Sequence, residues 1–292
     1  MLTSRSSKPS IKKKAPLGAF FLPFIEISDG TWYNSPDNEK EISEVRILIV
    51  RHGDPNYEID GLTERGRLEA EALARRMKNE NITAAYCSTL GRARLTAEPT
   101  LAALGMTAEY CEWLREFNYA TVKPPYEEEE VIAWDLLPAF VNGCDKLYST
   151  TRWREEEFIR TSDMPRHYDA VCRELDAMLA RHGYVRDGYN YRAVRPNHDT
   201  LLLVCHYGIT AVLLSHLMNS SPYVFWQNAV TLPTSVTTVY TEEREEGVAS
   251  MRVAGIGDLS HLYAAGIEPS FSARFCECFT DDTRHGGDPN KK

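Results

Sequence analysis

Four short stretches of this 292-residue sequence carry side chains suited to handling an anion. Arg51-His52-Gly53 closes one apolar run, and Ser88-Thr89-Leu90-Gly91-Arg92-Ala93 follows a second. Leu114-Arg115-Glu116-Phe117 follows a third, and Cys205-His206-Tyr207-Gly208 closes a fourth. Guanidinium groups stay charged and offer forked donors, imidazoles titrate near neutrality, and a carboxyl can carry a proton to or from a reacting oxygen. The chain has a net charge of −9, so an anionic substrate must be attracted by local positive charge against the global field. A cluster of Arg and His is the form such a site would take. Gly53 and Gly208 permit tight backbone that would expose amides beside each histidine.

The surrounding sequence sets how these residues are brought together. Residues 46–51 (R-I-L-I-V-R) and 200–205 (T-L-L-L-V-C) are continuous apolar runs, the pattern of strands buried on both faces. Residues 84–87 and 108–111 are expected as shorter strands. Thr63 can cap a helix with Ala70, Leu73, Ala74 and Met77 on one face. Ala93, Ala97, Leu101 and Leu104 mark a second helix, closed by Gly105. Tyr168, Val171, Cys172, Leu175 and Leu179 mark a third, and 209–218 a fourth, before strands near 236–241 and 251–256. Strands alternating with helices predict a three-layer α/β/α sandwich with a mostly parallel central sheet, whose sites lie at the carboxyl ends of strands.

With the four stretches at strand exits, the sequence resembles the histidine phosphatase superfamily, the phosphoglycerate mutase-like fold. The R-H-G motif is Arg51, His52 and Gly53, and the following Leu-x-x-x-Gly element is Leu62 to Gly66. The S-x-L-x-R-A-x-x-T-A signature is Ser88 to Ala97; the acidic residue is Glu116, and the second histidine and its glycine are His206 and Gly208. The resemblance covers about 46–118 and 198–262. It implies that His52 is the nucleophile, that Arg51, Arg92 and His206 bind the phosphoryl group, and that Glu116 is the proton donor. Gly53 and Tyr207 are added as substrate-binding neighbours. It also implies no metal and no cofactor, because two guanidiniums supply the charge a cation would.

Other features are read more plainly. Arg181-His182-Gly183 repeats the R-H-G text, but it ends an amphipathic helix, where His suits the helix dipole and Gly is the expected cap. His198, His216 and His261 are read as structural. Residues 118–197 form a large inserted lid segment, carrying Trp134, Tyr148, Trp153, Phe158, Arg152, Arg154 and Arg166; most of its aromatics are expected to pack rather than to touch substrate. Glu127–Glu130 reads as a solvated stretch. Residues 1–44 are expected to be an extension (disordered over 1–15, a hairpin within 18–33, a linker over 34–44), 45–265 the catalytic domain, and 266–292 a tail.

Seven cysteines, an odd number with several in apolar runs, read as reduced thiols, and Cys276-x-Cys278 near His285 lacks a second ligand pair for a metal. Acidic balance argues against nucleic acid, and no apolar run reaches the ~20 residues of a membrane span. The basic-then-apolar order of residues 12–25 is broken by Pro23 and acidic residues, so no secretion signal is expected and the cytoplasm is the expected compartment. The expected partner is a small phosphomonoester; a homodimer is open. Hydrolysis is favoured over phosphoglycerate mutase activity because Asp54-Pro55-Asn56-Tyr57 departs from the mutase opening. A non-catalytic phospho-ligand module is the alternative of a different class.

Overall fold

The computed structural model describes residues 44–270, together with the backbone of two short strands, Phe24–Glu26 and Trp32–Asn34. Those two strands pair antiparallel as a two-stranded sheet of their own, within a unit formed by residues 1–42. The expectations for 1–15, for 35–43, for Cys276 and Cys278 and for most of the tail fall outside the described residues.

In the unit of residues 43–292, eight strands form one sheet. In chain order they are β1 (Arg46–Arg51), β2 (Ala84–Ser88), β3 (Glu109–Cys111), β4 (Tyr184–Asp187), β5 (Asn190–Ala193), β6 (Thr200–Cys205), β7 (Val236–Glu245) and β8 (Val248–Asp258). Their order across the sheet is β4-β5-β8-β7-β1-β6-β2-β3. β1, β6, β2 and β3 are mutually parallel. β7 runs antiparallel to β1, and the ladders beyond it are antiparallel too. The parallel centre is as expected. The antiparallel flank is wider than the sequence suggested, because the hairpin β4–β5, turned at Gly188-Tyr189 with Gly188 at φ +59°, comes from inside the presumed lid segment. A glycine opening a two-residue loop between short strands is a hairpin signal in its own right.

Alternation along the central strands separates two cores. Leu48, Val50, Leu202 and Val204 pack with Leu73 and Met77 of helix α1 (Glu64–Met77) and Ala93, Ala97 and Leu101 of α2 (Gly91–Leu104). Ile47, Ile49, Leu201, Leu203 and Cys205 face the other way, onto α3 (Met164–Arg181) and α4 (Tyr207–Leu217). Successive side chains of a strand point to opposite faces, so helices on both sides of the sheet follow directly, and with them the three-layer sandwich.

Helix starts are tied to the loop after β1. The Thr63 hydroxyl oxygen accepts the Gly66 N–H at 3.0 Å as the cap of α1, and the same hydroxyl donates to Asp54 at 2.6 Å. A Cβ on Gly66 would lie 2.3 Å from the Asp54 carbonyl oxygen, and one on Gly53 would lie 2.8 Å from that of Gly66. The Leu-x-x-x-Gly element thus has a steric cause: only glycine lets the first turn of α1 rest against the loop that carries His52. Gly66→Ala, ordinarily stabilising in a helix by about 1 kcal/mol, should here destabilise by about 1–3 kcal/mol because backbone must move. Urea unfolding monitored by circular dichroism would measure it; a neutral or stabilised variant contradicts the close approach.

Candidate active site

Backbone hydrogen bonds hold the loop after β1 from three sides. The His52 N–H donates to the Cys205 carbonyl at 2.9 Å, and the Gly53 N–H to Thr96 Oγ1 at 2.9 Å. Thr234 N–H reaches the carbonyls of both Arg51 and His52, at 3.1 and 3.2 Å, from a left-handed backbone with φ +54°. A β-branched residue is seldom found there, so the surrounding structure must enforce it. The His52 ring is fixed as well: Nδ1 lies 2.7 Å from the Gly53 carbonyl oxygen. A carbonyl only accepts, so Nδ1 carries the hydrogen and Nε2 of the neutral ring keeps its lone pair. Burial, and then the charges of Arg51 and Arg92, hold the ring well below the usual imidazole range. A neutral, oriented imidazole is a nucleophile.

Two buried guanidiniums flank it. Arg51 donates from Nη1 to the Thr231 carbonyl at 2.5 Å and lies 5.8 Å from the centre of the Tyr207 ring. Arg92, at the start of α2, donates from Nη1 to Asp60 at 2.6 Å, with the Tyr57 ring 5.5 Å from its guanidinium carbon. The Nε–H of each is buried without a protein partner. Unpaired buried donors are costly, and two of them on mutually repelling cations call for an anion.

The second imidazole comes from the end of β6. The rings of His52 and His206 have centroids 5.0 Å apart, tilted by 57°. His206 Nε2 sits 2.7 Å from Ser88 Oγ, while its buried Nδ1 has no partner. Burial, then His52, Arg92 and Arg51, depress its basicity. Glu116 completes the set. Its Oε1 accepts the Phe117 N–H at 2.8 Å and the Ile209 N–H, in the first turn of α4, at 3.2 Å. Burial raises its affinity for a proton, against those two hydrogen bonds and the two arginines. A Cβ on Gly208 would meet this Oε1 at 2.8 Å and the Trp134 ring at 2.2 Å, which is why glycine follows Tyr207.

Arg51, His52, Arg92, Glu116 and His206 are therefore brought to one rim. The two residues added as substrate-binding neighbours have protein partners. The Gly53 amide is spent on Thr96, and the Tyr207 hydroxyl donates toward the carbonyls of Trp226 and Ala229, so Tyr207 backs Arg51 with its ring. In the inserted segment Trp153 and Phe158 are core, and Arg152, Arg154 and Arg166 pair with Glu155, Asp169 and Asp163 away from the site. Trp134 is the exception, beside Glu116 and Gly208. The repeated text at 181–183 does stop a helix: Gly183 has φ +89°, and His182 is held between Asp199 and Tyr86. Among the described residues no group of three or more His, Cys, Asp or Glu is placed to hold a metal ion.

Several supporting residues were quoted in the motifs without a role, or not quoted at all. Ser88 orients His206; Thr96 donates to the Arg92 carbonyl at 2.7 Å while accepting from Gly53, so one hydroxyl links the loop to α2. Asp60 and Thr231 hold the two arginines, and His261 sits 3.2 Å from the Thr234 hydroxyl. Ser88 and Thr96 had a sequence signal in their places in the S-x-L-x-R-A-x-x-T-A element, and His261, read as structural, lies in a segment, Gly257 to Leu262, that resembles one near the end of family members.

The model of the histidine phosphatase superfamily (branch 1) matches residues 47–146. A probable phosphatase of Schizosaccharomyces pombe is 24% identical over 232 residues, covering 75% of this chain and 95% of that protein. Among solved structures, a phosphoserine phosphatase mutant from Entamoeba histolytica in complex with phosphoserine is 18% identical, covering 75% of this chain and 99% of that one, with a TM-score of 0.48. A mycobacterial glucosyl-3-phosphoglycerate phosphatase is 20% identical, covering 73% and 99%, with a TM-score of 0.46.

Behind the loop, buried Glu69 accepts the Asp54 N–H at 2.8 Å, and burial pushes its carboxyl up to about 7. A raised folded value means the folded chain keeps a proton that the unfolded chain releases between the ordinary carboxyl range and pH 7. Its contribution to stability is therefore full in acid and lost as pH rises through 7. Glu69→Gln can still accept from Asp54 and cannot ionise. Its stability relative to wild type should improve between pH 5 and pH 8 in urea titrations; an equal difference at both pH values would refute the assignment.

Proposed function

We propose that this chain, which belongs to the histidine phosphatase superfamily, hydrolyses small phosphomonoesters through a phosphohistidine formed on His52. The observation that carries the reading is the pair of imidazoles 5.0 Å apart, flanked by two buried guanidiniums whose Nε–H groups lack protein partners. Such an arrangement suits a phosphoryl group, whose three equatorial oxygens share the charge in flight. The two arginines and His206 would bind those oxygens. Nε2 of His52 attacks phosphorus while the bond to the leaving oxygen breaks, and Glu116 delivers its proton to that oxygen. Water then attacks the phosphohistidine, Glu116 takes the water's proton, and phosphate leaves with His52 restored. The positive charge that stabilises both steps comes from the protein itself.

Glu116 fits the acid because burial favours its protonated form, and its place on the α4 N-terminus steadies the carboxylate left behind. The five described cysteines are free and buried, which supports a reducing compartment, the cytoplasm. No helix among the described residues is long and apolar enough to cross a membrane.

Turnover of p-nitrophenyl phosphate in the presence of a chelator tests the reading. His52→Ala should lose at least about a thousandfold in kcat, roughly 4 kcal/mol of barrier; a loss below tenfold is too small for removal of a covalent nucleophile. Wild type quenched in alkali during turnover should carry a base-stable, acid-labile phosphoryl group that His52→Ala lacks. Glu116→Gln should cost about 10²–10⁴-fold with alkyl phosphates and far less with p-nitrophenyl phosphate, whose leaving oxygen needs little help. Equal losses on both would remove Glu116 as the acid.

A further inference from the structure

Glu116 has to hold a proton near neutrality to serve as the acid, and most of what surrounds it favours loss of that proton. Its Oε1 accepts the N–H groups of Phe117 and Ile209, and Arg51 and Arg92 act on it with positive charge. Hydrogen bonds and cations both stabilise a carboxylate. Removal of water works the other way: burial is the largest influence on this carboxyl and raises its hold on the proton. A side chain that keeps water off Oε1 therefore acts on the reaction through Glu116.

One aromatic ring is placed to do so. A Cβ built on Gly208 would lie 2.2 Å from Cζ3 of Trp134 and 2.8 Å from Oε1 of Glu116, so the ring carbon and the carboxyl oxygen are at most 5.0 Å apart. A water molecule directly between them would need about 2.8 Å to the oxygen and about 3.5 Å to the carbon, more than that gap holds. The ring is also fixed. Trp134 follows a short hairpin in which Thr121–Val122 pairs with Val131–Ile132, and its carbonyl accepts from Gln227 Nε2 at 2.9 Å. The indole meets the Tyr207 ring edge-on at 6.1 Å between centroids and the Trp226 ring at 6.0 Å. Trp226 Nε1 in turn donates to the Gly208 carbonyl at 3.1 Å. Glycine at 208 is what admits ring and carboxyl to the same spot.

The other described groups that face Glu116 do not change charge near neutrality. Arg51 and Arg92 stay cationic. Burial pushes the Cys205 thiol up to about 12 and likewise raises the hydroxyls of Tyr207 and Tyr119. His52 and His206 are held below the usual imidazole range.

We propose that the indole of Trp134 excludes water from the Glu116 carboxyl and so sets the upper pH limit at which that carboxyl can donate its proton. Trp134 is a positioning residue, acting on the reaction only through Glu116. The inference rests on the phosphatase reading above for its kinetic form, while the contact itself can be tested without turnover.

The kinetic test follows kcat against pH for the full chain with glycerol 2-phosphate and with p-nitrophenyl phosphate. In Trp134→Ala the alkaline limb with the glycerol ester should move to lower pH by at least half a unit, about threefold in proton affinity. Trp134→Phe, which keeps a ring beside the carboxyl, should stay closer to wild type. With p-nitrophenyl phosphate, whose leaving oxygen needs little help, the limb should not move. A smaller shift in Trp134→Ala, or one of equal size on both esters, overturns the proposal. Thermal melts check folding, and Trp134→Gln, which fills the space with a polar chain, carries the same expectation if the alanine variant does not fold. A second readout needs no activity. The carbon-13 resonance of the Glu116 carboxyl, identified by its absence from Glu116→Gln, should titrate at lower pH in Trp134→Ala than in wild type. Equal midpoints overturn the role of Trp134. Hydrolysis of neither ester by wild type overturns the phosphatase reading, while the resonance still decides the contact.

Discussion

Placing two guanidiniums and two imidazoles out of water within reach of one another is electrostatically unfavourable, and much of the molecule is arranged to make it possible. Each cation acts on the others: Arg92 lowers Arg51, and both lower His52 and His206. Nothing in the local sequence would hold such a cluster; the structure does so with neutral acceptors and remote carboxylates. The Thr231 carbonyl takes Arg51, Asp60 takes Arg92, and Ser88 takes His206. The Nε–H groups of both arginines are left without a protein partner. A phosphoryl group would satisfy them, with a gain in electrostatic energy largest where charge on the group is greatest.

Parallel pairing is what delivers these side chains to one place. β1, β6 and β2 lie side by side in register, Cys205 opposite Arg51 and Val204 opposite Cys87, so their exits share an edge. That much was legible in the sequence. Continuous apolar runs ending in Arg51-His52, Ser88 and Cys205-His206 specify buried parallel strands, and helix periods with Thr63 and Gly105 at the ends specify the covering layers. The periodic residues named for α1 and α3 are buried as the pattern required.

Less legible were the residues that act through a partner far away in sequence. Asp60 meets Arg92 across 32 positions, Ser88 meets His206 across 118, and Arg51 meets Thr231 across 180. Periodicity carries no information about such pairs, and a serine or aspartate in a loop looks the same whether it holds a catalytic group or water. The antiparallel flank escaped for a related reason. Tyr184–Asp187 and Asn190–Ala193 are short and polar, and they are held by pairing with each other and, through Asn190–Ala193, with β8 rather than by their own pattern. The smallness of Gly53 was legible, but its steric cause, the backbone of Gly66, was not, and its amide meets Thr96.

The segment from 118 to 197 has one more consequence. Trp153, Phe158, Leu147 and the apolar face of α3 belong to the same buried cluster as Ile49 and Leu203 of the sheet. A cover whose rings are interleaved with the core cannot swing aside without laying that core open to solvent. Substrate and product would then pass without displacing those rings.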